Sequence, residues 1–86
     1  MFYTYVIKSQ KNGMWYTGYT NDLRKRFKEH NNNIVTSTKN RCPFELIYYE
    51  ACLDKYDAWN REKYLKTMMG KRYLRNRLKC FLSLTG

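Results

Sequence analysis

Aromatic and β-branched residues cluster in three short stretches of the 86-residue chain, and turn residues separate the first two. Residues 2–8 and 14–19 are each typical of a β-strand. Asn12-Gly13 lies between them, and because Asn-Gly is a strong turn signal, the two stretches are predicted to form a hairpin. A third strand is predicted over residues 44–50, directly after the one proline of the chain.

Apolar residues recur at helical spacing in three other stretches, and asparagine or aspartate opens the first two, as N-cap residues do. Helices are predicted over residues 21–31, 54–69 and 71–82, with Gly70 as the C-cap residue of the second. These elements predict an α/β fold, more exactly an α+β sandwich in which helices flank a small, mainly antiparallel three-stranded sheet. We expect residues 1–86 to form one domain, because a chain of this length supports one core.

The first predicted helix carries two polar residues on the face that should meet the sheet. Leu23 and Phe27 define this face, and Arg26 and His30 lie on it or at its edge, one helical turn apart. A charge on such a face costs stability unless it is paired or borders a cleft. Two structural alternatives stay open, namely an arginine whose charged end reaches solvent and a histidine bonded to a backbone carbonyl.

The second predicted helix has a carboxylate in the corresponding place. Ala58, Leu65 and Met69 mark its inner face, and Glu62 falls between them. An isolated acid on a core face is costly, and a divalent cation or an arginine would relieve it. The alternative is an exposed Glu62 that forms an ordinary surface pair with Lys66, and periodicity alone does not exclude this.

The hairpin adds tyrosines to these polar residues. Because side chains alternate across a strand, Tyr3 and Tyr5 share one face, and Tyr16 and Gly18 share one face of the partner strand. Most tyrosines in strands simply pack, but a phenol beside an arginine and an acid can transfer a proton or contact a phosphate. Gly18, which has no side chain, would let a substrate approach the sheet closely.

The charge of the chain indicates its partner. Seventeen lysines and arginines against seven acids give a formal net charge of +10. Such an excess repels itself in the folded state, and a polyanion explains it best, since phosphates that meet lysine and arginine release their counterions. We therefore expect a nucleic acid as partner. A basic protein that merely stays soluble is the alternative, and an anionic membrane surface is a weaker one.

The three cysteines, Cys42, Cys52 and Cys80, indicate a reducing compartment. They are widely spaced and odd in number, so neither a disulfide framework nor, with one histidine in the chain, a zinc site is expected. No stretch approaches the length of a membrane span, and the N-terminus has no pattern of a leader peptide. We expect a cytoplasmic protein without a membrane partner.

These polar and aromatic residues together form a recognisable pattern. Tyr3-Thr4-Tyr5, Tyr16-Thr17-Gly18 after a short turn, a helix with Arg26 and His30, and a later helix with Glu62 follow one another along the chain. This order resembles the GIY-YIG nuclease superfamily, and in particular its small stand-alone bacterial members. Residues 15–31 are the most specific part. The first motif departs from Gly-Ile-Tyr and the second from Tyr-Ile-Gly, but both keep the chemically important tyrosine.

The resemblance implies a divalent-metal-dependent endonuclease that hydrolyses DNA phosphodiester bonds, with a role in DNA repair or recombination. It assigns one Mg²⁺ or Mn²⁺ ion to Glu62 and the contact with the scissile phosphate to Arg26. His30 is the neighbouring catalytic histidine. Tyr16 is the first choice for the general base, and Tyr5 orients Tyr16 or the attacking water.

Members of this superfamily with a defined target usually carry a second domain that finds it, and we expect none here. The basic surface must then bind DNA, and because phosphate contacts carry no sequence information, we expect weakly specific or structure-dependent cleavage. The expected contacts are Gly18, Lys25, Lys39, Arg41, Lys71, Arg72, Arg75 and Lys79. A nucleic-acid-binding module without catalysis is the main alternative, and a domain that binds an acidic protein partner is a third hypothesis.

Overall fold

Three strands form one antiparallel sheet in the computed structural model, which describes residues 1–85. They are β1 (Phe2–Ser9), β2 (Trp15–Thr20) and β3 (Phe44–Cys52), in the spatial order β2-β1-β3. The predicted hairpin is confirmed as β1 and β2. In its register Tyr5 lies opposite Gly18. Both β2 and β3 are edge strands, and β1 is the centre of the sheet.

Four α-helices and one short 3-10 turn complete the described chain. The helices are α1 (Leu23–Asn31), α2 (Lys55–Leu65), α3 (Met68–Arg77) and α4 (Lys79–Thr85), and the 3-10 turn spans Thr36–Thr38. Asp54 caps α2 as predicted, whereas α1 is capped by Asp22 and not by Asn21. Each aspartate side chain accepts a hydrogen bond from a backbone N–H of the first turn. The α+β fold class is confirmed. None of the helices in residues 1–85 is long and apolar enough to cross a lipid bilayer.

The two faces of the sheet carry separate cores. Tyr5, Ile7 and Phe44 form the core on one face, where residues of α1 pack against them. Val6 packs with Leu65 and Leu74 from α2 and α3 on the other face. Because β1 is covered on both sides, consecutive residues of this strand are buried, and helices hold the sheet from opposite directions.

The helical region after residue 54 corrects the sequence prediction. The predicted helix 54–69 ends at Leu65, and α3 begins at Met68, before the predicted start of the third helix. Thr67 causes this break, because its hydroxyl accepts a hydrogen bond from the backbone N–H of Gly70 and caps a new helix. The predicted helix 71–82 is likewise divided between α3 and α4.

Gly70 is therefore not the C-cap residue that the sequence predicted. It lies inside α3 and is buried. A Cβ atom at this position would lie 2.0 Å from the backbone oxygen of Tyr64 and 2.5 Å from the Cα atom of Leu65. Glycine is required because the first turn of α3 packs directly on the last turn of α2.

Candidate active site

Tyr5 and His30 form a fully buried hydrogen-bonded pair between β1 and α1. Their exposed fractions are 1% and 0%, and the Tyr5 hydroxyl lies 2.8 Å from His30 Nε2. On the other side of the ring, His30 Nδ1 lies 2.7 Å from Thr38 Oγ1, which in turn donates to the Val35 carbonyl. Both ring nitrogens of His30 are thus hydrogen-bonded to buried hydroxyls, and in a neutral imidazole one nitrogen donates and the other accepts.

Burial keeps both members of this pair neutral. Desolvation, reinforced by the positive charge of Arg26, lowers the pKa of His30 from its ordinary 6.5 to about 4. Desolvation also raises the pKa of Tyr5 to about 12, although the nearby Arg26 guanidinium acts in the opposite direction. At neutral pH the pair is therefore an uncharged tyrosine bonded to an uncharged histidine.

Tyr16 on β2 extends this cluster toward solvent. Its ring centroid lies 5.0 Å from that of His30, and His30 also packs against Phe44 with a centroid separation of 5.9 Å. Unlike Tyr5, Tyr16 is only partly buried. Tyr16 is therefore the tyrosine of this cluster that can reach a solvent-side ligand.

Arg26 borders the same cluster from α1, at the edge of the inner face. Its side chain is 38% exposed and its Nη1 atom lies 3.2 Å from Glu29 Oε1. Its guanidinium also lies close enough to the Tyr5 phenol to act on the pKa of that group. Arg26 thus combines a charged end that reaches solvent with a position beside the buried pair.

Glu62 approaches the cluster from α2. Its side chain is only 14% exposed, and its Oε2 atom lies 3.0 Å from Lys66 Nζ. The ion pair with Lys66, which the sequence allowed as an alternative, is therefore present. That alternative assumed an exposed Glu62, however, and the carboxylate is largely buried. The negative charge of Glu62 contributes to the raised pKa of Tyr5, so the two side chains are within electrostatic reach.

Arg61, which precedes Glu62, anchors this part of α2. It pairs with Glu50 on β3, and its guanidinium lies over the rings of Tyr64 and Tyr73 at 5.1 and 4.8 Å from their centroids. A planar cation that stacks on two aromatic rings and binds a carboxylate holds its helix firmly. Periodicity did not reveal this anchor, because its partners lie on β3, α2 and α3.

A single carboxylate suits a particular class of metal ion. Residues 1–85 contain no group of three or more His, Cys, Asp or Glu side chains that could enclose a metal. Magnesium and similar hard cations are often held by one or two carboxylates and keep their remaining positions for water and substrate phosphate. Glu62, shielded from bulk solvent at the edge of the cluster, fits a cation of this kind.

Gly18 has a different role from the one that the sequence suggested. It is buried, and a Cβ atom there would lie 2.6 Å from the hydroxyl oxygen of Tyr5 and 2.8 Å from its Cζ atom. The space above the glycine is therefore occupied by the Tyr5 ring, which crosses from the neighbouring strand. Gly18 leaves room for this ring. The predicted contact between Gly18 and a substrate is corrected accordingly, because the ring covers the glycine.

The other predicted DNA contacts are exposed cations, and none of them forms an ion pair within residues 1–85. Lys25 lies in a groove beside Arg26, together with Lys55 and Phe2. Lys71 and Arg75 line a second groove near Tyr16. The remaining four cations are not brought into either groove; they are Lys39, Arg41, Arg72 and Lys79.

The sequence analysis missed Thr38, the partner of His30 Nδ1. Thr38 lies in the 3-10 turn, eight residues beyond His30, where no periodic pattern marks it. Its residue type carries no signal, since threonines are frequent in loops. Only the fold shows that this hydroxyl is hydrogen-bonded to Nδ1 of the histidine.

Several known proteins are similar to this chain. The chain is 41% identical over 69 residues to the UPF0213 protein CPE1444 of Clostridium perfringens, an alignment that covers 79% of this chain and 73% of that protein. It is 45% identical over 69 residues to the UPF0213 protein YazA of Bacillus subtilis, with coverages of 79% and 69%. The NMR structure of the UPF0213 protein BH0048 from Bacillus halodurans is similar, with a TM-score of 0.54 and 32% identity over 88% of this chain and 84% of that one.

The model of one protein family matches almost the whole chain. That family is the GIY-YIG catalytic domain, and the match covers residues 1–77. This span contains β1, β2, α1, β3, α2 and α3, and with them every residue of the cluster described above. The chain therefore belongs to the GIY-YIG catalytic domain family, a family of nucleases.

Proposed function

We propose that this protein is a divalent-metal-dependent endonuclease that hydrolyses phosphodiester bonds in DNA, with weak sequence specificity or a preference for DNA structure. The observation that carries the proposal is the convergence of Tyr16, Arg26 and Glu62, from three different elements, on the buried Tyr5–His30 pair. The family supports a nucleic-acid substrate. The net charge of +10 supports a polyanion as well.

The partly exposed residues are suited to contact the substrate. The Arg26 guanidinium would neutralise the charge that grows on the phosphoryl oxygens as water attacks. Glu62 would hold one Mg²⁺ or Mn²⁺ ion, which when bound supplies positive charge for the leaving oxygen. Tyr16, which reaches solvent, would first release its own proton to solvent and then, as the phenolate, accept the proton of the attacking water.

The buried pair is suited to support Tyr16. Tyr5 is hydrogen-bonded to His30 and has almost no exposed surface, so it would orient its neighbours without itself contacting bulk water. His30, held by Thr38, would fix the position of the Tyr5 hydroxyl. In this proposal Tyr5 and His30 are positioning residues, and Tyr16, Arg26 and Glu62 are catalytic.

A cleavage assay tests the proposal. The full chain is incubated with end-labelled single-stranded, duplex, flapped and four-way DNA, with Mg²⁺, Mn²⁺ or EDTA. We expect metal-dependent cleavage that Glu62→Gln and Arg26→Ala each abolish. Asp57→Asn on α2 and Arg24→Ala on α1 are matched controls, because both residues are exposed on the same helices.

Two outcomes would count against the proposal. Folded Glu62 and Arg26 variants that cut as well as the controls would show that the site is wrongly assigned. Salt-sensitive DNA binding with no cleavage of any substrate, with either metal, would indicate a nucleic-acid-binding module without catalysis. We also propose that the protein acts in the cytoplasm, as one domain, in DNA repair or recombination.

A further inference from the structure

A groove beside β2 combines an apolar floor with a basic rim. Its floor includes Trp15 and Leu74, and its rim carries Lys66, Lys71 and Arg75. No carboxylate lines it within residues 1–85. We call it the Trp15 groove. A concave surface with aromatic area and cations, and without acids, suits a ligand that has both a flat apolar part and negative charge.

The Trp15 groove adjoins the candidate active site. Trp15 directly precedes Tyr16 on β2, so the two side chains lie on opposite faces of the sheet, Trp15 with Leu65 and Leu74 and Tyr16 with His30. Lys66 links the two regions, because it lies on the rim of the groove and pairs with Glu62 at 3.0 Å. A ligand in the groove would therefore approach the candidate site at Glu62, by way of Lys66.

Trp15 differs from the other tryptophan of the chain. Trp59 lies on the exposed side of α2, and Lys63 Nζ lies 3.6 Å from its ring centroid, so one of its faces is already covered by a cation. Trp15 packs against the core residues Leu65 and Leu74 and remains partly exposed. Within residues 1–85 no cation lies over the ring of Trp15, which leaves its outer surface for a ligand.

We propose that the Trp15 groove binds an unpaired nucleotide of the DNA strand, next to the phosphate that is cleaved. The base packs on Trp15, and the phosphates contact Lys71 and Arg75. A paired base is covered on both sides by its neighbours and cannot enter a groove, so the subsite selects DNA with unpaired nucleotides beside the cleavage point. This inference rests on the proposed nuclease function only for the position of the cleaved phosphate.

Fluorescence provides a direct test of the base contact. The double variant Trp59→Phe/Glu62→Gln keeps Trp15 as the only tryptophan and does not require cleavage. A short oligothymidylate is titrated into it, and a phosphate chain of the same length made of abasic nucleotides is the charge-matched control. We expect the oligothymidylate to quench the emission of Trp15 and the abasic chain to leave it unchanged.

Binding affinity tests both halves of the subsite. Trp15→Leu is expected to weaken oligothymidylate binding about tenfold, as loss of one stacking platform does, and to leave the affinity for the abasic chain unchanged. Lys71→Gln/Arg75→Gln is expected to lower the slope of log affinity against log salt by about 1.4, because each phosphate contact on a single strand contributes about 0.7. Arg24→Gln/Lys28→Gln on α1 removes the same charge from another exposed surface and should leave the slope unchanged.

The opposite results overturn the inference and are separable from failure of the nuclease proposal. Equal quenching by both chains, no quenching, or equal salt slopes for the two double variants would exclude the subsite, even if the wild type cleaves DNA. A polyglutamate peptide that quenches Trp15 as strongly as DNA would identify an acidic protein segment instead and would also overturn it. Base-dependent quenching in a protein that cleaves nothing would refute the nuclease and retain the subsite. If Trp15→Leu does not fold, the salt slope of Lys71→Gln/Arg75→Gln still tests the subsite, because both side chains are exposed.

Discussion

Acidification should destabilise this protein through one residue, His30. The folded protein holds this histidine neutral, with a pKa of about 4, because it is desolvated and lies near Arg26. In the unfolded chain the same group has its ordinary pKa of 6.5. Between these two values the unfolded chain binds a proton that the folded protein does not, so a fall in pH favours unfolding.

The size of the effect follows from the two pKa values. The full difference corresponds to about 3 kcal/mol, since one pKa unit is worth about 1.4 kcal/mol. This stability is present above about pH 6.5 and is lost progressively as the pH falls toward 4. Between pH 7 and pH 5 the loss should be about 2 kcal/mol, which is a large share of the roughly 5–15 kcal/mol that stabilises a typical domain.

The measurement is urea denaturation of the wild type and of His30→Gln at pH 7, 6 and 5. Because His30 is the only histidine of the chain, the difference in slope between the two proteins isolates its contribution from that of the carboxylates. The variant should be less stable than the wild type at pH 7 and should lose the His30-dependent slope between pH 7 and 5. NMR titration of the imidazole protons reports the folded pKa directly.

Either of two results would refute this reasoning. If the imidazole of the folded protein titrates near 6.5, the ring is not desolvated as its burial and its bonds to Tyr5 and Thr38 require. If His30→Gln keeps the full pH slope, another group is responsible. Both results would also remove the basis for a neutral histidine beside Tyr5.

Three further substitutions test other contacts. Gly18→Ala should lower the free energy of unfolding, measured by urea denaturation, by about 2 kcal/mol, because the new methyl group displaces the Tyr5 hydroxyl. The same substitution should cost less in a Tyr5→Phe background. Fully additive costs of the two substitutions would contradict this explanation. Gly70→Ala should cost about 3 kcal/mol, because its Cβ would meet backbone that cannot move aside, and a cost below about 1 kcal/mol would exclude this packing. Lys66→Met should tighten Mn²⁺ binding about twofold in calorimetry, because the Lys66 ammonium no longer competes with the metal ion for the Glu62 carboxylate. An unchanged affinity would show that Lys66 does not compete with the metal ion.

The strands and the first helix could be predicted because their signals are local. Turn residues bound β1 and β2, and Asp22 caps α1 with its own side chain. The run of buried residues from Thr4 to Ile7 also agrees with a central strand, since such a strand is covered on both faces. Here local sequence preference and tertiary packing favour the same structure.

The helical region after residue 65 could not be predicted, because two local signals point the wrong way. Apolar residues continue at helical spacing through Met69, and glycine after such a run is typical of a C-cap. The decisive feature is a close approach of two helices, which only the three-dimensional packing at Gly70 reveals. Thr67, the residue that starts the new helix, resembles any other threonine in a helical run.

Some features of the candidate site could likewise be predicted from local sequence, and others depend on contacts between residues that are distant in the sequence. The inward positions of His30 and Glu62 follow from helical periodicity, and both side chains are largely buried. The separate roles proposed for the five site residues depend instead on contacts between different strands and helices. These residues are Tyr5, Tyr16, Arg26, His30 and Glu62. Thr38 holds Nδ1 of His30 by a hydrogen bond, and Gly18 leaves room for the ring of Tyr5.

Burial gives His30 and Tyr5 a different role in the proposed function from that of the exposed residues. A phosphate cannot contact a side chain with no exposed surface, and His30 and Tyr5 are 0% and 1% exposed. Their hydrogen bond must act through a neighbour, and Tyr16 is the neighbour that reaches both the pair and solvent. If the proposed function holds, His30→Gln should reduce the turnover number and leave the Michaelis constant for DNA largely unchanged, whereas loss of Arg26, the proposed substrate contact, should affect both.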